Sequence, residues 1–279
     1  MKKQEIFYHY CSVDVLLSIL KNDALRLSDI EKSNDYAERK WMMNKIKEEF
    51  IIASEENFVE EKEKLIRGFS RLKNEFEILD NVYATCFSTE GDLLSQWRAY
   101  GQDGHGIAIG FSGELLKKVN AFEYGIKFLP IIYDYEKQKE YGRLQTKKIF
   151  DLLLKGDFLF HAMSEVFTND LEKLCCYKNP AFSEEKEWRL CKALSPECRI
   201  NVKANYEPFV MSEIKLYSNQ KRIVTYLDLN YTKVKNEIIK EIILGPKCEI
   251  SEKDLRQILF VLGYIAPDIE IKKSKATYL

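Results

Sequence analysis

The stretch that decides the fold of this chain is Phe182-Ser183-Glu184-Glu185-Lys186-Glu187-Trp188-Arg189-Leu190-Cys191. It starts as a polar turn after Pro180 and then alternates, with Glu187, Arg189 and Cys191 on one face and Trp188, Leu190 and Lys192 on the other. Alternation with period two predicts a β-strand that has one buried face. The charged face has two interpretations: a solvated sheet face with an ion pair, or a carboxylate held at the lip of a cleft. The segment by itself favours the solvated face.

The composition places the chain among ordinary globular proteins. Its 279 residues are 46% hydrophobic and 31% charged, which is enough to bury a sizeable core. The 43 basic and 44 acidic side chains nearly cancel, so a generic nucleic-acid coat is not expected. The N-terminus has no apolar signal region and no apolar run reaches membrane-spanning length, which predicts a cytoplasmic protein without membrane contact.

The cysteines and histidines give no pattern that predicts a metal centre. Seven cysteines without CxxC spacing indicate reduced thiols that mostly fill the core. The three histidines are scattered and no HExxH motif is present, so no metal is expected. His9 ends a short strand-like run, and its default interpretation is a core histidine bonded to backbone.

Hydrophobic periodicity divides the chain into strands and helices. Residues 6–10 and 25–27 predict strands on either side of a helix whose apolar positions are Val13, Leu16, Leu17 and Leu20. Further strands are predicted at 82–88, 107–111, 127–134, 199–202, 214–217, 222–229, 238–244 and 269–271, with a turn at Asn219-Gln220. The order of these segments predicts one α+β domain over residues 1–279, with a mixed or antiparallel sheet.

Two long helical blocks interrupt the strands. Residues from about 33 to 80 predict a helical insertion of two helices, broken at 54–57. Residues from about 135 to 178 predict a second helical segment, with Phe158 and His161 on its buried face. The dense Glu and Lys of the first block indicate solvated helix faces.

Several segments together resemble a known bacterial family, the domain of unknown function 2971. They are Phe7 to Ser12, Leu25 to Ser28, Asn34 to Glu38, Cys86 to Ser88, Gln96 to Gly101, Gly104 to Phe111, Phe182 to Arg189, and Gly245-Pro246. The resemblance extends over nearly the whole chain. The family carries no assigned activity.

The opening of the chain is also similar to that of ADP-ribosyltransferases. A strand ending in His9-Tyr10-Cys11-Ser12 precedes a helix and a short strand, and Glu185-Lys186-Glu187 follows late in the chain. The resemblance implies a split sheet of the ADP-ribosyltransferase type and NAD as the substrate. It implies that Glu187 and His9 are catalytic. The middle-strand residue is Ser88, with Tyr83 or Tyr100 as an aromatic alternative, and the Ser-Thr-Ser of that superfamily is absent.

The same resemblance implies a set of NAD-binding residues. They are Tyr10, Ser12, Tyr83, Arg98, Tyr100, Glu185 and Arg189. A carboxylate can stabilise the oxocarbenium-like cation that forms when the nicotinamide–ribose bond breaks, and aromatic rings can stack on nicotinamide. Guanidinium groups suit the pyrophosphate. The simpler interpretations are that Arg189 is only an ion-pair partner of Glu187 and that Arg98 belongs to a packed helix.

Three functions therefore remain open from the sequence. The first is NAD-dependent ADP-ribosyl transfer or NAD hydrolysis, with a protein or nucleic acid as a possible acceptor. The second is a magnesium-dependent nuclease around Glu185 and Lys186, which needs an upstream acid such as Asp134. The third is a non-catalytic module that binds a nucleotide or a protein.

Overall fold

A computed structural model of the chain describes residues 5–30, 38–58, 60–79, 81–121, 125–168, 170–194, 204–218 and 222–278. The predicted strand at 199–202, the turn at Asn219-Gln220 and the motif residues 34–37 lie outside this part of the chain. Within it, the chain forms one mixed sheet with helices around it, so the predicted α+β class is confirmed.

The strands of this sheet carry the following bounds: β1 (Ile6–Cys11), β2 (Ala24–Asp29), β3 (Asn81–Ser88), β4 (Ile107–Ser112), β5 (Lys127–Pro130), β6 (Glu187–Leu194), β7 (Ala204–Tyr206), β8 (Phe209–Met211), β9 (Lys215–Ser218), β10 (Ile223–Asn230), β11 (Ile239–Leu244) and β12 (Glu270–Lys273). Their order is β12-β11-β4-β1-β3-β2-β10-β8-β7, with β6 also on β3, β5 on β6 and β9 on β10. The β11–β12 pair is parallel, and the other named pairs are antiparallel.

The helices are α1 (Val13–Asn22), α2 (Glu38–Asn57), α3 (Lys62–Leu79), α4 (Leu94–Ala99), α5 (Gly113–Lys117), α6 (Tyr135–Leu154), α7 (Leu159–Thr168), α8 (Leu171–Leu174), α9 (Lys235–Ile238) and α10 (Glu252–Val261). Short 3₁₀ turns span Gln102–Gly104, Lys118–Ala121, Pro180–Glu185, Thr232–Val234 and Ala266–Asp268. Among the described helices, none combines the length and the apolar character that crossing a membrane requires.

The N-terminal strand, helix and strand form as their sequence predicts. Ser12 caps α1 by accepting a hydrogen bond from the Val15 amide at 3.2 Å. The helix ends at Asp23, whose left-handed conformation turns the chain directly into β2. Leu16 and Leu20 bury the apolar face of α1, so this helix covers the sheet beside β1 and β2.

The two helical blocks pack together on a core of their own. Met42, Phe50, Phe69, Ile149 and Phe167 belong to this second core, in which α2 contacts both α3 and α6. The insertion and the second helical segment therefore form one helical layer beside the sheet.

Three details of the helical blocks differ from the sequence prediction. The predicted break at 54–57 lies inside α2, where the Ser54 hydroxyl donates to the Phe50 carbonyl at 2.7 Å and the Asn57 amide donates to the Ala53 carbonyl without ending the helix. Phe158 is 82% exposed and does not lie on a buried face. His161 is also exposed and lies 3.4 Å from Asp157.

The strand that decides the fold is buried on both faces. Trp188 packs against Phe7 and Phe128, with ring centroids 4.8 and 5.1 Å away. Glu187 and Arg189, on the opposite face, are only 7% and 3% exposed. The predicted solvated face is therefore wrong, because the chain that follows α8 covers it.

Candidate functional site

The sheet splits along one edge of β3. On its other edge, β3 pairs with β6 over its whole length, from Asn81 to Ser88. On the split edge, β2 pairs with Tyr83 and Ala84, whereas β1 pairs only with Ser88. β1 and β2 therefore diverge from β3 around residues 85–87, and a gap opens between them.

Two side chains bond to backbone at this split. The Thr85 hydroxyl donates a hydrogen bond to the carbonyl of Arg26 on β2. His9 on β1 bonds through Nδ1 to the Cys86 carbonyl at 2.9 Å. Because a carbonyl oxygen only accepts, Nδ1 carries the proton and Nε2 is left as an acceptor.

A cleft of about 590 Å³ occupies the split. Its lining includes the aromatic residues Tyr8, Tyr10, Phe87, Tyr100 and Tyr217. It also includes His9, four carboxylates and one guanidinium; the carboxylates are Asp14, Glu185, Glu187 and Asp228, and the guanidinium is that of Arg26. Volume and lining fit a small organic ligand with flat rings and some charge.

Glu187 belongs to a buried group of two carboxylates and two cations. Arg189 Nε lies 2.6 Å from Glu187 Oε1, and Lys178 Nζ lies 3.4 Å from Glu187 Oε2. Lys178 also lies 2.6 Å from Glu185, and Arg189 donates to the Cys175 carbonyl at 2.7 Å. The four charges cancel, which is the condition for burying them at tolerable cost.

This group sets the protonation state of Glu187. Burial by itself would raise the pKa of Glu187, but the Arg189 guanidinium and the Lys178 ammonium hold that pKa below its usual value. Glu187 is therefore ionised at neutral pH. Its negative charge is available to the cleft, although Arg189 and Lys178 share it.

His9 is in its neutral form at neutral pH. Burial lowers the pKa of His9, and the hydrogen bond to the Cys86 carbonyl offsets this only in part. A neutral imidazole with a free Nε2 acceptor can bind a hydroxyl group, such as one on a ribose ring.

The structure places five of the ten residues predicted for the site in the lining of this cleft. These are His9, Tyr10, Tyr100, Glu185 and Glu187. His9 and Glu187 thus share one cleft although 178 positions separate them in the chain. The split sheet brings them together.

The other five predicted residues do not line the cleft and have different contacts. Ser88 donates its hydroxyl to the Glu185 carbonyl at 2.8 Å, Ser12 caps α1, and Tyr83 bonds to Thr225. Arg98 stacks on Tyr278, 4.7 Å from the ring centroid, and Arg189 lies behind Glu187. The Ser88 hydroxyl thus holds the loop that precedes Glu187.

Sequence reasoning missed Lys178 and Arg26. Lys178 follows the buried run Cys175-Cys176-Tyr177, and a lysine at the end of such a run is a signal for a buried ion pair. Arg26 alternates with Leu25 and Leu27 on β2, which places it on the face opposite the core. Both signals are visible in the sequence, but neither shows which partner the side chain meets.

The nuclease hypothesis has less geometric support. Lys186 points to the surface, where it pairs with Glu90 at 2.8 Å. Asp134 caps α6 by accepting from the Lys137 amide. In the described part of the chain, no cluster of three or more His, Cys, Asp or Glu side chains is arranged to hold a metal ion.

Comparison with protein families finds a match to part of the chain. Residues 96–190 match the model of a family described as "Protein of unknown function (DUF2971)". The match covers 95 of 279 residues, so it is narrower than the nearly whole-chain resemblance expected from the sequence. It includes Tyr100, Glu185 and Glu187 and excludes His9. The chain has no significant match among curated proteins or solved structures.

Proposed function

We propose that the cleft binds NAD and that the protein cleaves its nicotinamide–ribose bond, releasing ADP-ribose to water or to an acceptor. The observation that supports this proposal is that His9 and Glu187 line one cleft at the split of the sheet. A cleft of about 590 Å³ also lies within the usual range of about 300–1,000 Å³ for small-molecule sites.

The chemistry assigns a role to each of these side chains. The bond from C1′ of the ribose to the nicotinamide nitrogen breaks, and its electron pair leaves with the nicotinamide. The ribose then carries oxocarbenium character, which the ionised Glu187 stabilises electrostatically. Water or an acceptor hydroxyl attacks C1′ and loses its proton to solvent. Neutral His9 binds a ribose hydroxyl, and the tyrosines of the cleft stack on the rings.

The test incubates the purified protein with NAD and measures the release of nicotinamide by chromatography. Glu187→Gln keeps the shape of the side chain and removes its charge, so we expect kcat to fall by about 100-fold or more. Glu184→Gln is the matched control, because Glu184 lies three positions away and is exposed. The control should keep wild-type turnover. A folded Glu187→Gln variant with wild-type turnover would remove Glu187 from the mechanism.

Non-catalytic binding of a nucleotide is the second candidate function. The observation in its favour is that Arg189 and Lys178 already neutralise much of the charge that catalysis needs from Glu187. In that case NAD raises the melting temperature of the protein through binding to the folded state, without release of nicotinamide.

A further inference from the structure

Arg26 differs from the other arginines near the site in how it is held. Its guanidinium carbon lies 4.1 Å from the ring centroid of Tyr226 and 5.2 Å from that of Tyr217. The two rings contact each other edge to face, with centroids 5.7 Å apart. Arg26 is thus supported by two aromatic rings at the wall of the cleft.

The guanidinium keeps its hydrogen-bonding capacity for another group. Asp228 is the cross-strand neighbour of Arg26, but its carboxylate pairs with Lys215 at 2.8 Å. Within the described residues, the Arg26 guanidinium has no carboxylate and no carbonyl at hydrogen-bonding distance. In contrast, Arg189 is occupied by Glu187 and the Cys175 carbonyl.

The charges of the cleft are unevenly distributed. Of the described residues that line it, Arg26 is the one with a permanent positive charge, against four carboxylates. Glu185 and Glu187 come from the loop and strand of β6, whereas Arg26 belongs to β2 on the other side of the split. A ligand with a cationic ring and an anionic group can place the anionic group at Arg26 and the ring toward Glu187, since Asp228 beside Arg26 is already paired with Lys215.

We infer that Arg26 binds the phosphate groups of the ligand and so fixes its direction in the cleft. The inference rests on the proposed function, and it names the ligand class: a nucleotide with a pyrophosphate, whose cationic ring lies toward Glu187. A guanidinium fork forms two parallel charge-assisted hydrogen bonds to phosphate oxygens, and the tyrosine rings hold the fork in a fixed plane. Arg26 thereby takes the role that the sequence suggested for Arg98 and Arg189.

The test compares ligands with and without phosphate by titration calorimetry. ADP-ribose and adenosine are the two probes, and the variants are Arg26→Gln, Arg26→Lys and the control Arg67→Gln. Arg67 is an exposed arginine of α3 and is not among the residues that line the cleft. We expect Arg26→Gln to weaken ADP-ribose binding by about 10- to 100-fold and to leave adenosine binding unchanged. Arg26→Lys keeps the positive charge but loses the guanidinium fork, so its affinity for ADP-ribose should lie between those of wild type and Arg26→Gln.

The possible results distinguish failure of the phosphate site at Arg26 from failure of the proposed reaction. Equal ADP-ribose affinity of wild type and Arg26→Gln overturns the inference, and so does an equal loss for adenosine, because both show that Arg26 does not bind phosphate. A wild type that binds neither probe overturns the inference together with the proposed function. If ADP-ribose binding depends on Arg26 but NAD is not cleaved, the phosphate site stands and the proposed reaction fails. If NAD is cleaved with an unchanged KM in Arg26→Gln, only the phosphate site fails.

Discussion

Replacing Glu187 and Arg189, singly and together, measures the coupling energy between these two buried charges. Glu187→Gln leaves Arg189 and Lys178 with Glu185 as their one remaining counter-charge in the group. Removing one member of a buried ion pair costs about 3–5 kcal/mol. Arg189→Met should lower the free energy of unfolding by the upper end of that range, because the Cys175 carbonyl also loses the hydrogen bond from Arg189.

The double variant should be more stable than the sum of the two single losses indicates. Removing both partners leaves the pair Lys178–Glu185, which is neutral and has its atoms 2.6 Å apart. We expect a coupling energy of about 2 kcal/mol or more in the double-mutant cycle. Urea unfolding at pH 7, followed by circular dichroism, gives the four free energies of unfolding.

A surface pair supplies the control for this cycle. Lys186 and Glu90 lie 2.8 Å apart with half-exposed side chains, so the cycle of Glu90→Gln with Lys186→Met should give less than about 1 kcal/mol. A coupling energy for Glu187 and Arg189 that is no larger than this control would refute the idea that the buried group acts as a unit.

The pH dependence of stability has a definite sign for Glu187. Because the folded pKa of Glu187 lies below its unfolded value, its contribution is complete above about pH 4.3 and is lost as pH falls through the folded pKa. The loss of stability in acid should therefore be smaller in Glu187→Gln than in wild type. Unfolding titrations between neutral and acidic pH measure this difference.

Two further predictions concern the cleft. The pKa of His9 is lowered in the folded protein, so the unfolded state takes up a proton first as pH falls below about 6.5, and the free energy of unfolding decreases there. His9→Gln should flatten this part of the pH profile of stability. An NMR titration midpoint of His9 at or above about 6.5 would contradict the buried neutral form. Cys86 is exposed and lines the cleft, whereas burial raises the pKa of Cys11 to about 12. Iodoacetamide should therefore label Cys86 much faster than Cys11, and ADP-ribose should slow the labelling of Cys86. Peptide mass spectrometry measures the labelling rate at both sites. A Cys86 labelling rate that ADP-ribose does not change would show that the ligand binds elsewhere.

The sequence predicts the N-terminal strand, helix and strand well because local signals suffice there. The apolar positions of α1 repeat at helical spacing, Ser12 caps it, and both strands alternate. The end of β3 and the alternation of β6 are equally local. These signals place His9 and Glu187 on strands, but only the resemblance to ADP-ribosyltransferases named them as candidates, and their meeting in one cleft depends on long-range pairing.

The burial of the charged face of β6 could not be predicted, for a physical reason. Period-two alternation shows that two faces differ, but it does not show what covers them. Lys178 reaches Glu185 and Glu187 only because the chain after α8 folds back over β6. Lys178 is only seven and nine positions from these two carboxylates, but strand alternation gives no sign of the turn that brings it back onto them. The three-residue strands β7 and β8 are likewise too short to give a period.

The split of the sheet also has a consequence for association between molecules. Open strand edges offer free amide and carbonyl groups to a strand of another chain, which is a common route to aggregation. Here the Cys86 carbonyl accepts from His9 and the Arg26 carbonyl accepts from Thr85, so side chains occupy part of the backbone that the gap leaves unpaired. These two bonds leave less of a template for strand addition at the gap. Thr85→Val, which removes one of these bonds and keeps the shape, would expose that template.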